Sequence, residues 1–323
     1  MGDVSLTYYS SLKSIKTEWL WYPYIPKGKI TLILGDPGCG KTYMILKLIS
    51  SLTVGEPLPL SEAGIVTECL YQNYEDGLED TIRPRLIKNG ADCSKISFIS
   101  DEDVAINDAR IETAITDAGV CLLVLDPIQS FISEDTDINR VNTIRPKLRF
   151  LKEVAERTNC AVVLIGHMNK SGGKKSIYRS LGSIDLTAAA RSVLLVGQTN
   201  IDDSERIVMQ TKNNLAPKGD PLAFCINDGI VEWLGIRSVS EEELLNGAKE
   251  PVGENDSKLM SAAVFLGGLL ANGSVPATYA TEKAKDSGIR LRTLERAKAL
   301  LGVKSEKENG KWLWSLPEGR IDE

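Results

Sequence analysis

The segment from residue 35 to residue 42 constrains the fold of this chain more than any other. It reads Gly-Asp-Pro-Gly-Cys-Gly-Lys-Thr, follows an apolar run at residues 30–34 and precedes a helical pattern at residues 43–52. Glycines at these spacings, between a strand and a helix, let backbone N–H groups turn toward phosphates. The pattern predicts a nucleotide-binding loop, the P-loop, in which the contacting residues are Gly35, Asp36, Pro37, Gly38, Cys39, Gly40, Lys41, Thr42 and Tyr43.

Three residues supply the charge and the oxygen ligands that a bound triphosphate requires. Lys41 can reach the β- and γ-phosphates, and the Thr42 hydroxyl can ligate Mg²⁺. Asp126 ends the apolar run at residues 120–125, and in such folds a carboxylate at the end of a buried strand lies beside that metal. We therefore expect Mg²⁺ at Thr42 and Asp126. The alternative role of the aspartate is to cap the turn at Pro127.

Length and charge limit the classes of protein to consider. The 323 residues suggest two domains, and the formal net charge of −6 argues against a surface coated with basic residues, so any contact with DNA must come from local patches. No apolar stretch approaches the ~20 residues of a membrane span, and the N-terminus lacks a signal-peptide apolar region. A cytoplasmic protein without a membrane partner is expected. The six cysteines are widely spread without a C-x-x-C pair, which indicates reduced thiols.

Apolar runs alternate with helical patterns after the P-loop. The further predicted strands are at residues 68–72, 120–125, 160–165 and 193–196, with a short one at 96–99. Helical patterns at 77–89 and 145–158 separate some of them, which predicts an α/β fold with a mostly parallel sheet. The composition becomes acidic and polar at residues 238–257, which indicates a linker between one domain at 1–237, with a short N-terminal extension, and another at 258–323.

Hydrolysis of a nucleotide requires a group that polarises the attacking water, and Glu75 is the candidate. It follows the strand predicted at residues 68–72, so we expect it at the carboxyl edge of the sheet, where ligands bind in such folds. Asp76, Glu79 and Asp80 are rivals. These three suit the first turn of a helix, where acidic side chains are stabilised by the helix dipole.

The only histidine, His167, follows the strand predicted at residues 160–165. We expect it at the same sheet edge as Asp126, where it can contact the γ-phosphate and transmit the loss of that group to the following loop. A lone histidine is more often structural or merely exposed, and that alternative stays open. We favour the role of a phosphate sensor.

Five motifs occur in order along the chain. They are the P-loop, Tyr-Glu-Asp at 74–76, Leu-Asp-Pro at 125–127, Gly-His-Met-Asn-Lys at 166–170 and Ala-Ala-Ala-Arg-Ser-Val at 188–193. Together they resemble the RepA-type branch of the RecA-like ATPases, AAA-family relatives of plasmid and phage hexameric replicative helicases. The resemblance covers residues 19–233. It implies a RecA-like P-loop core, ATP and Mg²⁺ bound between the subunits of a ring or partial ring, Glu75 as catalytic base and His167 as sensor.

The resemblance also gives roles to two basic residues. It implies that Arg191 acts on the nucleotide of a neighbouring subunit as an arginine finger. Lys212, in Gln-Thr-Lys-Asn-Asn, matches less closely a position from which related helicases supply a second cation in trans. The alternatives are local capping or pairing by Arg191 and an ordinary solvated turn at Lys212.

A basic segment lies between His167 and Arg191. Residues 169–179 contain four positive side chains and no acid. The four are Lys170, Lys174, Lys175 and Arg179. Glycines make such a loop mobile and basic side chains neutralise phosphates, so we expect it to bind single-stranded DNA and to couple hydrolysis to strand movement. A solvated basic face is the alternative.

The end of the chain has a pattern of its own. Three helical patterns at 258–270, 277–286 and 291–301 precede a hairpin pattern at 303–314 with an Asn-Gly turn. This order is typical of a small winged-helix domain. Its third helix exposes Arg290, Arg292, Arg296 and Lys298, as a helix that binds duplex or junction DNA would. Residues 251–323 contain eleven basic and ten acidic residues, a net charge of +1, so a protein-docking module is the alternative.

The whole pattern favours an oligomeric ATP-driven motor on DNA, with a hexamer as the expected assembly, acting as a replicative helicase of a plasmid, phage or other mobile element. One alternative is a RecA-like recombination or repair ATPase without unwinding activity. Another is a nucleotide-switched winged-helix regulator, whose output is DNA binding. A P-loop kinase is disfavoured, because no segment reads as an acceptor-substrate lid and the C-terminal pattern would be unexplained.

Overall fold

The computed structural model describes residues 6–100, 104–132, 141–168, 184–198, 204–247, 254–271, 273–308 and 311–317. The chain divides into two compact units, Met1–Ala248 and Lys249–Glu323. Within the described ranges, no helix is both long and apolar enough to cross a bilayer.

The first unit alternates strands with helices. Its strands are β1 Trp19–Trp21, β2 Ile25–Pro26, β3 Ile30–Gly35, β4 Glu68–Asn73, β5 Ile96–Ser97, β6 Val120–Asp126, β7 Ala161–His167, β8 Ser192–Gln198, β9 Glu205–Asn213, β10 Leu222–Asn227 and β11 Ile230–Ile236. Its helices are α1 Lys41–Val54, α2 Arg83–Lys88, α3 Ala109–Ala118, α4 Val141–Thr158, α5 Ile184–Ala189 and α6 Glu241–Gly247. Short helical turns of other types occur at Tyr9–Ser11, Leu78–Ile82, Cys93–Lys95 and Ile128–Phe131.

One sheet of nine strands, in the order β11-β10-β9-β8-β3-β7-β6-β4-β5, organises this unit. The strands from β8 to β5 in that order are parallel, whereas β9, β10 and β11 are antiparallel. The predicted mostly parallel α/β sheet is therefore confirmed. The antiparallel strands were missed, because β9 buries polar side chains such as Gln210 and Thr211, which break the apolar pattern of a strand.

Both faces of the sheet are covered. Ile30, Leu32 and Leu34 of β3 belong to one hydrophobic core, and Ile33 belongs to a second core that includes the buried side chains of α1. Strands buried on both faces read as continuous apolar runs, which is why the run before the P-loop lacks polar alternation. Because parallel strands end at one common edge, this packing brings the carboxyl ends of β3, β4, β6 and β7 together.

The second unit contains α7 Glu254–Leu270, β12 Val275–Pro276, α8 Ala277–Asp286, α9 Leu291–Leu300, β13 Lys304–Glu308 and β14 Lys311–Ser315. Its strands form an antiparallel sheet in the order β12-β14-β13. Leu266, Ala280 and Leu294, one from each helix, pack with Trp314 in a common core. The Lys298 ammonium lies 4.3 Å from the Trp314 ring centroid, so the third helix and the hairpin are joined by a polar contact as well as by the core.

Part of the segment predicted as a linker, residues 238–257, is folded. Ser240 and Glu243 form a capping box at the start of α6: Ser240 N donates to Glu243 Oε2 over 2.7 Å, and Glu243 N donates to Ser240 Oγ over 3.2 Å. Leu244 is buried in the core of the first unit. The acidic composition therefore reflects a capped helix with one apolar face, and α7 begins at Glu254, inside the same segment.

Candidate functional site

The P-loop joins β3 to α1 through glycines in unusual conformations. Gly38 and Gly40 have φ of +77° and +96°, which side chains disfavour. A Cβ at Gly35 would collide with the carbonyl oxygen of Val196, and a Cβ at Gly40 would lie 2.8 Å from Cδ of Arg206. The loop therefore closes tightly only with glycine at these positions, and it borders the unpaired N–H groups at the start of α1.

Lys41 is buried and its ammonium lies over the P-loop. Nζ donates to the carbonyl oxygens of Gly35 and Asp36, each over 2.9 Å, and lies 3.9 Å from Cys39 Sγ. Burial raises the pKa of the Cys39 thiol and the charge of Lys41 opposes that shift, so the thiol is protonated at neutral pH. Lys41 is thus the cation available to phosphates on this loop.

Thr42 and Asp126 are in contact beside the P-loop. Thr42 Oγ1 donates to Asp126 Oδ2 over 2.9 Å, and Asp126 is 2% exposed at the end of β6. Burial raises the pKa of Asp126, and the hydrogen bonds from Thr42 and Tyr71 oppose the shift. A hydroxyl and a carboxylate are ligands that suit Mg²⁺, which takes its remaining ligands from phosphates and water. Among the described residues, no group of three or more His, Cys, Asp or Glu forms a separate metal site.

Glu75 and His167 lie together at the same sheet edge. His167 pairs with Gly35 in the parallel register of β3 and β7, and its Nε2 lies 3.4 Å from Glu75 Oε1. The charge of Glu75 also contributes to the raised pKa of Asp126, after burial. The Nδ1 atom of His167 is buried without a hydrogen-bond partner in the described part of the chain.

The three rivals of Glu75 have other surroundings. Asp76 Oδ2 forms an ion pair of 2.8 Å with Arg85 Nη1. Glu79 and Asp80 lie in the first turn of the helical segment that precedes α2, as their predicted role in helix stabilisation requires. Of the four acids, Glu75 is the one in contact with His167.

Two residues of β4 that sequence reasoning did not single out lie at the centre of the site. The Tyr71 hydroxyl donates to Asp126 Oδ2 over 2.9 Å, and Asn73 Nδ2 donates to the Tyr71 hydroxyl over 3.1 Å. Both residues are buried. An aromatic residue inside an apolar run reads as core, so the sequence contained no signal for this contact.

Two arginines that were also missed border the P-loop. The Arg85 guanidinium carbon lies 4.5 Å from the centroid of the Tyr43 ring. Arg206, at the start of β9, packs against Gly40, and its Nε is buried without a hydrogen-bond partner among the described residues. Since β9 is antiparallel to β8, its first residues return to the edge that carries the loop, a placement that no linear motif reveals.

Arg191 lies at the amino-terminal end of β3, whereas the P-loop follows the carboxyl end of that strand. Its backbone N–H donates to the carbonyl oxygen of Ile30 over 2.9 Å, at the start of β3, whereas Gly35 ends that strand. Five residue steps along a strand span about 16 Å. The fold therefore separates Arg191 from the P-loop of its own chain. In the described part of the chain, its guanidinium makes no ion pair.

Lys212 lies beside Arg191. It pairs with Val193 in the register of β8 and β9, and Nζ donates to the carbonyl oxygens of Thr187 and Ala190, each over 2.8 Å. Burial, followed by the charge of Arg191, lowers the pKa of Lys212. Lys212 is thus not an ordinary solvated turn lysine, and its ammonium is bound to the backbone that leads into Arg191.

The residues predicted to bind DNA fall in two places. Lys170, Lys174, Lys175 and Arg179 lie outside the described residues. Arg290, at the N-cap of α9, and Arg292 and Arg296 within that helix are exposed. These three arginines belong to the second unit.

Comparison with known proteins identifies a family for the part of the chain that carries this site. A family model described as an AAA domain matches residues 13–173, a range that contains the P-loop, Glu75, Asp126 and His167. A solved structure of a DnaB-like replicative helicase, titled for its interactions with primase, shares the fold with a TM-score of 0.52 at 14% identity, over 66% of this chain and 58% of that chain. The chain belongs to the RecA-like P-loop ATPases.

Relatives of this RecA-like ATPase include proteins named for DNA repair. The DNA repair protein RadA of Brucella abortus (strain 2308) is 25% identical over 247 residues, 75% of this chain and 46% of the relative. The DNA repair protein RadA of Streptococcus pneumoniae (strain ATCC BAA-255 / R6) is 25% identical over 224 residues, 68% of this chain and 48% of the relative. The RecA-like ATPase thus spans about half the length of the curated relatives it matches.

Proposed function

We propose that this RecA-like ATPase hydrolyses ATP as a homo-oligomeric ring, a hexamer, and acts as a motor on DNA, in the manner of a RepA-like replicative helicase of a plasmid, phage or mobile element. The observation that supports an oligomer best is the separation of Arg191 from the P-loop by the length of β3. A head-to-tail interface brings one edge of a subunit against the opposite edge of the next. Across such an interface, Arg191 of one subunit can reach the nucleotide bound to the P-loop of the next.

Each residue at the P-loop edge has a part in hydrolysis. Thr42 and Asp126 would hold Mg²⁺, which would supply positive charge to the bound phosphates. Lys41 binds the same phosphates from the loop. Glu75 orients the attacking water and accepts its proton while the bond between the γ-phosphorus and the bridging oxygen breaks. His167, in contact with Glu75, responds to the departure of the γ-phosphate.

The neighbouring subunit completes the site. Arg191 stabilises the charge that develops on the transferred group, an effect worth on the order of 10³–10⁵ in rate for arginine fingers. Lys212 is the second trans cation on this proposal. Its ammonium also bonds the carbonyl oxygens of Thr187 and Ala190, so Lys212 holds the turn that presents Arg191 while it adds positive charge to the shared site.

DNA contacts come from two surfaces. The basic loop at residues 170–179 grips single-stranded DNA, since lysines and glycines suit a backbone track without sequence readout. Residues 258–323 form a winged-helix domain that binds duplex or junction DNA. Its support is the order of three helices and a hairpin in the second unit and the exposed arginines of α9. On this proposal residues 1–237 form the ATPase domain and residues 238–257, including α6, connect the two.

A DNA recombination or repair ATPase without unwinding activity is the second candidate. Curated relatives named DNA repair protein RadA favour it. The test measures ATP hydrolysis with and without single-stranded DNA, together with ATP-dependent strand displacement. Unwinding supports the helicase, and DNA-stimulated hydrolysis without unwinding supports the repair ATPase. Slow turnover that DNA does not stimulate, with tight duplex binding, contradicts both and indicates a nucleotide-switched regulator.

A further inference from the structure

A continuous chain of hydrogen bonds links the buried carboxylate of Asp126 to the backbone of Glu75. Tyr71 donates its hydroxyl proton to Asp126 Oδ2 over 2.9 Å, and Asn73 Nδ2 donates to the Tyr71 hydroxyl over 3.1 Å. At the other end of the same amide, Asn73 Oδ1 accepts from the backbone N–H groups of Glu75, over 3.0 Å, and Asp76, over 2.8 Å. The side chain of Asn73 therefore links Tyr71, which bonds Asp126, to the backbone of Glu75.

The direction of each hydrogen bond in this chain is fixed by chemistry. An ionised carboxylate only accepts, so the single hydroxyl proton of Tyr71 goes to Asp126 and a lone pair of the hydroxyl is left for Asn73. The amide orientation of Asn73 follows, because its oxygen faces two backbone N–H groups. Thr42 and Tyr71 both donate to Asp126 Oδ2, which fixes the rotation of that carboxylate.

We propose that Tyr71 and Asn73 are positioning residues that hold the metal-binding carboxylate of Asp126 and the catalytic carboxylate of Glu75 in one fixed relation. This inference rests on the roles proposed above for those two acids. On this inference Tyr71 and Asn73 act through these two acids and not on the reacting atoms. Their effect is to orient one side chain at the end of β6 and another that directly follows β4, so that the metal side and the water side of the γ-phosphate are arranged together.

Asn213 shows what a purely structural asparagine looks like in the same fold. Its Oδ1 also accepts from two following backbone N–H groups, those of Leu215 at 3.0 Å and Ala216 at 3.1 Å. Its Nδ2, however, donates to the backbone carbonyl oxygen of Pro23 at 3.0 Å. In both asparagines the amide oxygen accepts from the turn that follows. Of the two, Asn73 is the one whose amide nitrogen donates to Tyr71, a hydrogen-bond partner of Asp126.

Two substitutions distinguish the role of Asn73 in the turn at residues 73–76 from its hydrogen bond to Tyr71. Ser at position 73 can still accept a hydrogen bond from a following N–H group, but it is too short to reach Tyr71. Phe at position 71 removes the hydroxyl from the other side. We would measure kcat and KM for N73S, Y71F and the double variant, and the gain in affinity for a fluorescent ATP analogue that Mg²⁺ produces. Y24F is the matched control, because Tyr24 is a buried tyrosine whose hydroxyl donates to the Asp220 carbonyl oxygen over 2.7 Å, away from the P-loop edge.

We expect Y71F to lower kcat about tenfold, because it loses a hydrogen bond to a charged group, and N73S to lower kcat several-fold, because it loses a neutral hydrogen bond. Little change in KM is expected in either variant. Both should also reduce the Mg²⁺-dependent gain in affinity while leaving binding without Mg²⁺ as in the parent. Because the two residues act through one link, the double variant should be no worse than the poorer single variant. Y24F should keep the parental kcat.

Two results would overturn the inference. One is a parental kcat and a parental Mg²⁺ gain in both single variants. The other is a double variant whose losses multiply, since that shows independent actions. E75Q is measured in parallel: if E75Q hydrolyses ATP at the parental rate, the proposed function fails, whereas an inactive E75Q beside normal N73S and Y71F removes only the positioning role. If thermal unfolding shows that Y71F does not fold, N73S decides alone.

Discussion

Glu75 Oε1 lies 3.4 Å from His167 Nε2, although the two residues are 92 positions apart in the chain. The contact exists because β4 and β7 both end at the edge of the sheet that carries the P-loop. It joins the proposed base to the proposed sensor. A movement of either side chain therefore alters the hydrogen bonding of the other.

The variant H167A removes this contact without touching the P-loop. We expect it to bind ATP as the parent does and to lose about tenfold in DNA-stimulated turnover, because Glu75 loses a hydrogen-bonding partner and the following loop loses its sensor. Steady-state hydrolysis with and without single-stranded DNA, together with nucleotide binding, provides the measurement. Parental stimulation in H167A would show that the histidine is structural.

Lys41 and Glu75 should separate binding from chemistry. K41A should abolish useful ATP binding, because the buried Lys41 ammonium lies directly over the P-loop backbone. E75Q should keep binding and lose about 10²–10⁴ in turnover, the range of general acid–base catalysis. D76N is the matched control, since Asp76 is paired with Arg85. If E75Q turns over normally and D76N does not, Asp76 is the base.

Local sequence was sufficient to predict the strands that lead to the P-loop and to Asp126. The apolar runs before Gly35 and Asp126 are buried on both faces, so they were visible as runs, and parallel pairing then forces their ends to one edge. The order of the C-terminal helices and hairpin was readable for a similar reason, because each element carries its own period and turn residues. Short β12, with two residues, was too short to show a pattern.

Contacts that depend on strand register could not be read in this way. Tyr71 reaches Asp126 only because β4 pairs with β6 residue by residue, and Arg206 reaches Gly40 only because β9 returns antiparallel. Gln210 is buried because its amide donates to the Pro23 carbonyl oxygen and the Ser192 hydroxyl. A rule based on hydrophobic periodicity predicts that such a polar side chain is exposed, although its hydrogen-bond partners allow it to be buried.

The basic loop should control the response to single-stranded DNA. Replacing Lys174 and Lys175 with alanine should lower DNA-stimulated hydrolysis and flatten the dependence of log affinity on log salt by up to about 0.7 for each phosphate that the variant no longer neutralises. Basal hydrolysis should stay parental. A double variant that keeps both its salt slope and its stimulation would contradict the assignment of this loop to DNA.

The arginines of α9 should control a different activity. A triple variant with glutamine at positions 290, 292 and 296 should weaken duplex or junction binding several-fold, because each basic side chain that contacts a phosphate releases counterions. Stimulation by single-stranded DNA should be largely retained. Fluorescence anisotropy with duplex, junction and single-stranded probes makes the comparison. Unchanged affinity for all three probes would indicate that the second unit docks a protein instead.

The proposed action of Arg191 on the nucleotide of a neighbouring subunit can be tested by mixing two inactive variants. R191A and E75Q should each be nearly inactive yet folded, because one lacks the finger and the other lacks the base. Mixed rings should regain hydrolysis, since about a quarter of the head-to-tail interfaces in an equal mixture join an intact Glu75 to an intact Arg191. Hydrolysis should reach a maximum at intermediate mixing ratios. Co-assembled mixtures that stay as inactive as the two single variants at every ratio would contradict this action of Arg191.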